Sequence, residues 1–271
     1  MKLIQSRDNP FYKELAKLSG SVRQRNKSDQ TLLDGVHLLA AYLDSGNQPR
    51  HILLNAAALH DEETAGLLQR IPDVAIAQLD DKLFAGLSEL KTPTSVLALI
   101  DIPQPVALQS HFALLLENIQ DPGNLGSMLR SAAAAGCDAV FLSKGCADAW
   151  SPKVLRAAMG GHFALRIYEQ QDLPEVAKAF CEQPLRSLPA YPTSGTLLAT
   201  SLQARLSLYD CDLRGNVALM IGNEGAGLSD DLLRVATQEI SIPMRNKIES
   251  LNAAAATAIC LFEVVRQRRI L

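Results

Sequence analysis

The second half of the chain alternates short apolar segments with longer segments in which apolar residues recur every three or four positions. The short segments are apolar at most positions, which is typical of strands in a parallel sheet covered on both faces. The longer segments predict helices between those strands. The predicted strands are 112–118, 139–143, 164–169, 197–200, 217–223 and 239–244, and the predicted helices are 124–135, 152–159, 174–181, 229–236 and 251–268.

The first hundred residues alternate less regularly and predict a smaller α/β domain. Asn9 and Pro10 are typical of a helix start, with Asn as N-cap and Pro at the first helical position. Two prolines in the segment 101–105 fit neither pattern and predict a linker. We therefore expect domains over 1–102 and 103–271. In the first domain, the predicted strands are 51–55, 74–79 and 95–100, and the predicted helices start at Pro10, 35 and 62.

Composition narrows the class of protein. The chain has 271 residues, 48% hydrophobic and 20% charged, and no apolar run approaches the ~18 residues of a membrane span. The start turns polar after four residues, unlike a signal peptide. Five scattered cysteines without a C-x-x-C pair indicate a cytoplasmic protein with reduced thiols. The histidines lack metal-binding spacing, so no protein-bound metal is expected.

Charge is unevenly distributed along the chain. The net charge is −3, yet residues 1–28 carry seven basic and two acidic side chains. A local basic surface binds phosphates even when the whole protein is acidic, although the same charges also occur on ordinary solvated helix faces. The residues of this segment that would form such a phosphate-binding surface are Lys13, Lys17, Arg23, Arg25 and Lys27.

Three polar, glycine-containing loops follow predicted strands, at 118–130, 221–228 and 242–252. Parallel-sheet proteins bind their ligands beyond the carboxyl ends of strands, which is where these loops fall. In the first loop, Asn118 ends a strand, Asn124 lies at a helix start and Arg130 follows six positions later. Any one of these residues is typical of a strand–turn–helix connection, but together they suit a phosphate or a developing oxyanion.

The second loop carries glycines at 222, 225 and 227 around Glu224. Such glycines permit close approach of a ligand, or they simply serve the turn, with Glu224 as an exposed carboxylate. The spacing matches neither the dinucleotide fingerprint nor a phosphate-binding P-loop.

In the third loop, Ser250 or Asn252 is expected to cap the last helix. The other polar group, beside Ile242, Met244 and Leu251, suits the rim of an adenosine-sized pocket.

Taken in order, the three loops resemble the motifs of the SpoU/TrmH branch of the SPOUT RNA methyltransferases. The first reads N-x-x-D-P-x-N-x-G-x-x-x-R, the second G-N-E-G-x-G-L, and the third IPM followed by SLN and a small-residue helix. The N-terminal stretches SRDNPFYKELAKL, LLDGVHLL and TPTSVLAL resemble the substrate domain that many members carry. The resemblance covers essentially the whole chain.

The resemblance implies an α/β fold and an RNA-modifying activity. The second domain would be a parallel-sheet SPOUT domain with a trefoil knot, preceded by a ribosomal-protein-L30e-like substrate-binding domain. Members transfer a methyl group from S-adenosylmethionine to a ribose 2′-hydroxyl of rRNA or tRNA, and we favour rRNA. They are homodimers with the cofactor site at the subunit interface.

The resemblance also implies roles for individual residues. Those at catalytic positions are Asn124, Arg130, Glu224, Ser250 and Asn252. Those expected at the cofactor are Ala199, Thr200, Gly222, Asn223, Gly225, Ile242, Met244, Leu251 and Ala253.

Two other functions remain open on sequence grounds. One is an RNA-binding protein that keeps this fold without the reaction, against which the complete set of catalytic positions argues. The other is an unrelated α/β enzyme using a nicotinamide or a nucleoside triphosphate, against which the absent fingerprints argue.

Overall fold

The computed structural model describes residues 2–88, 94–106, 109–182, 195–245 and 249–268. The chain forms two compact units. Unit 1 contains Met1–Gln104 and Asp148–Phe163, and unit 2 contains Pro105–Ala147 and Ala164–Leu271. The division at residues 104 and 105 falls two residues after the expected end of the first domain, and a segment from the second half packs with unit 1.

Unit 1 is built on a mixed five-stranded sheet in the order β1-β4-β3-β5-β2. Strand β5 pairs antiparallel with β2 and β3, whereas β4 pairs parallel with β1 and β3. The elements of this unit before the division are β1 (Lys2–Ile4), α1 (Pro10–Gly20), α2 (Val22–Ser28), β2 (Gln30–Asp34), α3 (Val36–Asp44), β3 (His51–Leu54), a 3-10 helix (Ala56–His60), α4 (Glu62–Gln69), β4 (Ala75–Leu79), α5 (Asp81–Ala85) and β5 (Val96–Asp101).

Helix α1 begins as its sequence predicts. The Asn9 side chain accepts hydrogen bonds from the backbone amides of Phe11 and Tyr12, and Pro10 occupies the first turn. Tyr12, Leu15 and Leu18 are buried against the sheet, and Phe11 is only partly buried. Phe11 packs against the edge of the same cluster, and the Tyr12 hydroxyl donates to the carbonyl of Leu83.

Unit 2 contains a seven-stranded sheet in the order β10-β12-β9-β11-β6-β7-β8, with every pair parallel. The elements from residue 105 onward are β6 (Phe112–Leu116), α6 (Pro122–Ala134), β7 (Ala139–Ser143), α7 (Pro152–Ala158), a 3-10 helix (Gly161–Ala164), β8 (Arg166–Gln171), α8 (Leu173–Glu182), β9 (Thr196–Thr200), β10 (Leu206–Ser207), a 3-10 helix (Leu208–Asp210), β11 (Val217–Ile221), α9 (Asp230–Val235), β12 (Gln238–Ser241) and α10 (Ala253–Arg268). Helix α7 lies in the segment that packs with unit 1.

The parallel sheet predicted from the apolar runs is confirmed. Strands β6 and β11 are buried at every position, as expected for a sheet covered on both faces. Helices α8 and α9 pack on one face, whereas α10 packs against α6 and β11.

Besides the three 3-10 helices, the pattern missed five of the described elements: β1, α2, β2, α5 and β10. Each has seven residues or fewer, too short for a period of two or 3.6 to become evident. No helix within the described residues combines the length and apolar character that crossing a membrane requires.

Candidate active site

Loops from the central strands of unit 2 emerge at one edge of the sheet. The register pairs Leu116 of β6 with Ile221 of β11, and Ala199 of β9 with Met220 of β11. The three strands therefore end nearly level, so their following loops start side by side. This arrangement brings together motifs that are about a hundred residues apart in sequence.

Three side chains from the three motifs form one hydrogen-bonded series. The amide nitrogen of Asn252 donates to Oδ1 of Asn124 at 2.9 Å. The amide nitrogen of Asn124 in turn donates to Oε1 of Glu224 at 2.7 Å. The bonds join residues 128 and 100 positions apart in sequence. The first, second and third loops are thus tied to one another through Asn124.

The end of helix α10 sets the direction of this series. Oδ1 of Asn252 accepts from the backbone amides of Ala254 and Ala255, at 2.9 and 3.2 Å. A helix N-terminus offers only donors, so the Asn252 oxygen must face the helix and its NH2 must point away from it. That NH2 fixes which atom of Asn124 faces Asn252, and Asn124 then presents a donor to the Glu224 carboxylate. Of the two expected caps, Asn252 is the residue that caps α10.

Helix α6 begins two residues before the start at Asn124 that its sequence predicts. Oδ1 of Asp121 accepts from the Asn124 backbone amide at 2.7 Å, and Pro122 follows at the first helical position. Asp121 is the cap because Pro122 needs no hydrogen-bond partner at its nitrogen. The side chain of Asn124 is consequently free to bond to Glu224 and Asn252.

The second loop is folded by Asn223. Its Oδ1 accepts from the backbone amides of Gly225 and Ala226, and its amide nitrogen donates to the carbonyl of Asn118 at 2.9 Å. Asn118 itself has a φ of +55°, in the left-handed region, where Asn is tolerated better than most residues. The second loop is therefore held against the end of β6.

Gly222 is required by close approach within this loop. A Cβ added at Gly222 would lie 2.1 Å from the carbonyl carbon of Gly227 and 2.4 Å from the nitrogen of Leu228. Both atoms belong to the backbone, so no side-chain rotation would relieve the clash. The glycine spacing of this motif thus serves the turn.

Arg130 lies on α6, two turns beyond the start of the helix. Its side chain is exposed and makes no hydrogen bond or ion pair with any residue that the structure describes. This guanidinium, six positions after Asn124 on the same helix, offers five N–H donors to an anionic group.

A cavity of about 520 Å³ opens beside this edge of the sheet. Two of the predicted catalytic residues, Glu224 and Ser250, contribute to its lining, but Asn124, Arg130 and Asn252 do not. Eight of the nine predicted cofactor residues also line it: Thr200, Gly222, Asn223, Gly225, Ile242, Met244, Leu251 and Ala253. Residues 246–248 of the third loop lie outside the described residues.

Ala199 is the predicted cofactor residue that the cavity leaves out. It is fully buried in β9, where it packs in the core with Ala218 and Met220. Alternation along a strand explains this difference, because adjacent side chains point to opposite faces.

Other residues that line the cavity lie outside the three motifs. One face of α10 adds Ala256 and Cys260, which follow Ala253 at spacings of three and seven. The loop after β9 adds Gln203, and α9 adds Asp230. A helical projection from Ala253 would have found the first pair, but no local pattern marks Gln203 or Asp230.

The five cysteines are free, and burial raises the pKa of the Cys137 and Cys260 thiols to about 12. Cys260 therefore lines the cavity as a neutral thiol. It is unreactive, because the thiolate is the reactive form of cysteine. Within the described ranges, no group of three or more His, Cys, Asp or Glu side chains has an arrangement that would hold a metal ion.

The basic segment of unit 1 separates into exposed and buried members. Lys13, Lys17, Arg23 and Lys27 are exposed on α1 and α2. Arg25 is 4% exposed and forms an ion pair with Asp148, at 2.6 Å between Nη2 and Oδ2. Arg25 also donates to the carbonyls of Leu18 and Ser19. It therefore faces inward, whereas the other four side chains are exposed.

Family profiles match both parts of the chain. The SpoU rRNA Methylase family matches residues 111–262, which is more than half of the sequence. The MRM3-like substrate binding domain matches residues 9–98.

Two proteins of similar sequence match nearly end to end. An uncharacterized tRNA/rRNA methyltransferase of Synechocystis is 32% identical over 98% of this chain and 94% of its own length. The 23S rRNA (guanosine(2553)-2′-O)-methyltransferase RlmP of Bacillus subtilis is 31% identical over 97% of this chain and 99% of its own.

A solved structure extends the similarity to three dimensions. The SpoU methyltransferase AviRb from Streptomyces viridochromogenes, in complex with the cofactor AdoMet, superposes with a TM-score of 0.84. It is 28% identical, and the match covers 97% of this chain and 99% of AviRb.

Proposed function

Because the chain belongs to the SpoU rRNA Methylase family, we propose that it methylates a ribose 2′-hydroxyl of rRNA with S-adenosylmethionine as methyl donor. The observation that carries this proposal is the series Asn252–Asn124–Glu224, whose last member, Glu224, lines the cavity. It joins all three family motifs at one site. AviRb, which shares the fold, is known in complex with AdoMet.

The cavity fits a cofactor with an apolar ring and a polar, charged tail. Its lining combines apolar side chains, such as Ile242, Met244 and Leu251, with the polar groups of Thr200 and Ser250. Pockets of this volume and mixed lining are typical of small-molecule sites. When bound, S-adenosylmethionine supplies a methyl group already activated by attachment to a sulfonium. The protein therefore chiefly has to position the two reactants and handle one proton.

Arg130 is assigned to the RNA. Its guanidinium would hold a phosphate next to the target ribose and stabilise the negative charge that develops on the attacking oxygen. It is a poor general base, because a guanidinium offers N–H donors and no acceptor. The proton of the hydroxyl would pass to the RNA phosphate or to water.

Asn124 and Glu224 are assigned to the ribose. After its two observed bonds, the Asn124 amide retains one N–H and one lone pair, enough to hold a hydroxyl. Glu224 retains a second carboxylate oxygen as an acceptor. Asn252 acts on the substrate only through Asn124, so it is a positioning residue.

The other expected features of the family also stand as proposals. A trefoil knot is supported by the order of the sheet, because β12 lies beyond β9, whereas Asn252 at the start of α10 bonds to Asn124 next to β6. We also infer a homodimer with the cofactor site at its interface. Unit 1 would dock the RNA and have the ribosomal-protein-L30e-like fold. The free cysteines support a location in the reducing cytoplasm.

Methyl transfer to RNA tests the function directly. Purified protein, S-adenosylmethionine labelled in the methyl group, and total RNA from a strain lacking the gene would be incubated, and the RNA digested to nucleosides. We expect label in a 2′-O-methylated nucleoside from rRNA. Failure to bind S-adenosylmethionine would instead favour an RNA-binding protein without the reaction.

A further inference from the structure

The described lining of the cavity is acidic. It includes two carboxylates, Glu224 and Asp230, and no lysine or arginine. The rest of that lining consists of apolar side chains, glycines and neutral polar groups. The cavity therefore has negative potential without a compensating basic side chain among the residues that the structure describes.

The two carboxylates differ in what they bind. Glu224 accepts a hydrogen bond from Asn124, as its proposed role at the ribose requires. The carboxylate of Asp230 is exposed and has no hydrogen bond or ion pair with a residue in the described part of the chain. Asp230 is therefore available to a ligand.

The position of Asp230 at the start of α9 does not by itself explain why an acidic residue lies there. Acidic residues are favoured in the first turn of a helix, but Asp231 occupies the same turn and Ser229 supplies the cap. Asp231 pairs with Arg234 at 2.6 Å and does not line the cavity. The two neighbouring aspartates thus share the helix end, and only Asp230 also faces the cavity.

We propose that Asp230 recognises the positive charge of S-adenosylmethionine and so makes the cavity select this cofactor over its product, S-adenosylhomocysteine. This inference rests on the proposed function. The methyl donor carries a sulfonium, an ammonium and a carboxylate, and has a net charge of about +1 near neutral pH. After the S–CH3 bond breaks and its electron pair stays on sulfur, the product is a neutral thioether with no net charge. A fixed carboxylate attracts the donor more than the product.

This selection has a consequence for turnover. The product resembles the donor in every group except the methyl and its charge, so apolar contacts alone would hold the two almost equally. The Asp230 carboxylate attracts the sulfonium of the donor but not the thioether of the product. It therefore favours exchange of product for fresh donor.

Calorimetric titration of the full chain with each compound tests the inference. Asp230→Asn removes the charge and keeps the shape, and Asp231→Asn is the matched control, because it removes a charge from the adjacent position outside the cavity. For Asp230→Asn, we expect affinity for S-adenosylmethionine to fall about three- to tenfold, and affinity for S-adenosylhomocysteine less than about twofold. Asp231→Asn should change neither by more than about twofold.

Salt dependence of the wild-type protein gives a second measurement that needs no variant. Raising the ionic strength should weaken binding of the cationic donor and leave the neutral product nearly unchanged, because screening acts on the net charge of the ligand. Equal losses for both compounds in Asp230→Asn, or no loss for either, would overturn the inference and leave the proposed function intact. If the wild-type protein binds neither compound, the proposed function fails together with the inference.

Discussion

The side-chain NH2 of Asn252 donates to Oδ1 of Asn124 at 2.9 Å, while the Asn252 oxygen caps helix α10. One residue therefore both starts the last helix and orients the amide that faces Glu224. Capping fixes the direction of the series, so the same bond that stabilises the helix also selects which end of Asn124 serves as donor.

Replacing Asn252 with Ser should separate these two roles. Serine caps a helix about as well as asparagine, so the free energy of unfolding should change by less than about 0.5 kcal/mol. Its hydroxyl does not replace the NH2 that orients Asn124, so kcat for methyl transfer should fall about ten- to a hundredfold. Chemical denaturation and steady-state kinetics would measure the two effects. Asn252→Ala is the comparison, since it should also lose about 1 kcal/mol of stability through the missing cap. Full activity of the serine variant would show that the bond to Asn124 is dispensable.

Replacing Arg130 with Ala should abolish most methyl transfer while leaving S-adenosylmethionine affinity nearly intact. Arg130 does not line the cavity, and its assigned task is to stabilise charge on the attacking oxygen, so we expect a loss of about 100- to 1,000-fold in kcat. Cofactor titration and labelled methyl transfer would be measured on the same preparation. Arg214→Ala is a suitable control, because this exposed arginine precedes β11, at the opposite edge of the sheet. Wild-type turnover of Arg130→Ala would remove this residue from the mechanism.

Neutralising the exposed basic side chains of unit 1 should weaken RNA binding in a salt-dependent manner. Three of these residues are exposed and form no ion pair with a described residue: Lys17, Arg23 and Lys27. Lys13, by contrast, is paired with Asp8. Changing all three to Gln should reduce the slope of log K against log salt by about one unit for each RNA phosphate that the variant no longer binds. Lys82→Gln, on α5, is the control. An unchanged slope in the triple variant would mean that the RNA docks elsewhere.

Replacing Arg25 with Met should destabilise the protein, because it leaves a carboxylate buried without its partner. The side chains of Arg25 and Asp148 are only 5% and 10% exposed, and breaking such a pair typically costs about 3–5 kcal/mol. The free energy of unfolding would be measured by denaturant titration. Adding Asp148→Asn should recover part of the loss, since the charge is then removed. If Arg25→Met unfolds like the wild-type protein but binds RNA more weakly, Arg25 acts at the RNA surface after all.

Buried His162 should make stability depend on pH. Its Nε2 contacts the carbonyl of Ala149 at 2.6 Å, Nδ1 has no hydrogen-bond partner among the residues that the structure describes, and burial lowers the pKa from 6.5 to about 4. The unfolded chain binds a proton between these pH values and the folded protein does not, so stability falls as pH decreases. From pH 7 to pH 5, the wild-type protein should lose about 2 kcal/mol more unfolding free energy than His162→Gln. Parallel loss in both proteins would contradict the assignment.

The extent of sequence-based prediction is clearest at particular residues. The runs that became β6 and β11 were evident because burial on both faces makes every position apolar. Asn9 was evident as a cap because capping depends on residues only two or three positions away. The short strand β2 was not evident, since its apolar centre is only two leucines long and its order comes from pairing with β5.

The roles of the site residues were likewise predictable only in part. The motifs marked Asn124, Glu224 and Asn252 as a group, but not the order of their bonds. Ala199 was expected at the cofactor and Arg25 at the RNA, and the structure buries both side chains. Asp230 lies outside the three motifs, yet it lines the cavity.

The sequence by itself determined the parallel sheet, the family motifs and most helix boundaries, because these depend on periodicity and on contacts between near neighbours. Only the tertiary structure decided which side of each element faces the cavity, and which polar groups meet across it. Asn124 and Asn252 are joined by a bond that spans 128 positions, and its existence depends on the strand order and on the packing of α10 against α6. Local patterns carry no record of such contacts, since a hydrogen bond between distant residues constrains neither residue's neighbours in sequence.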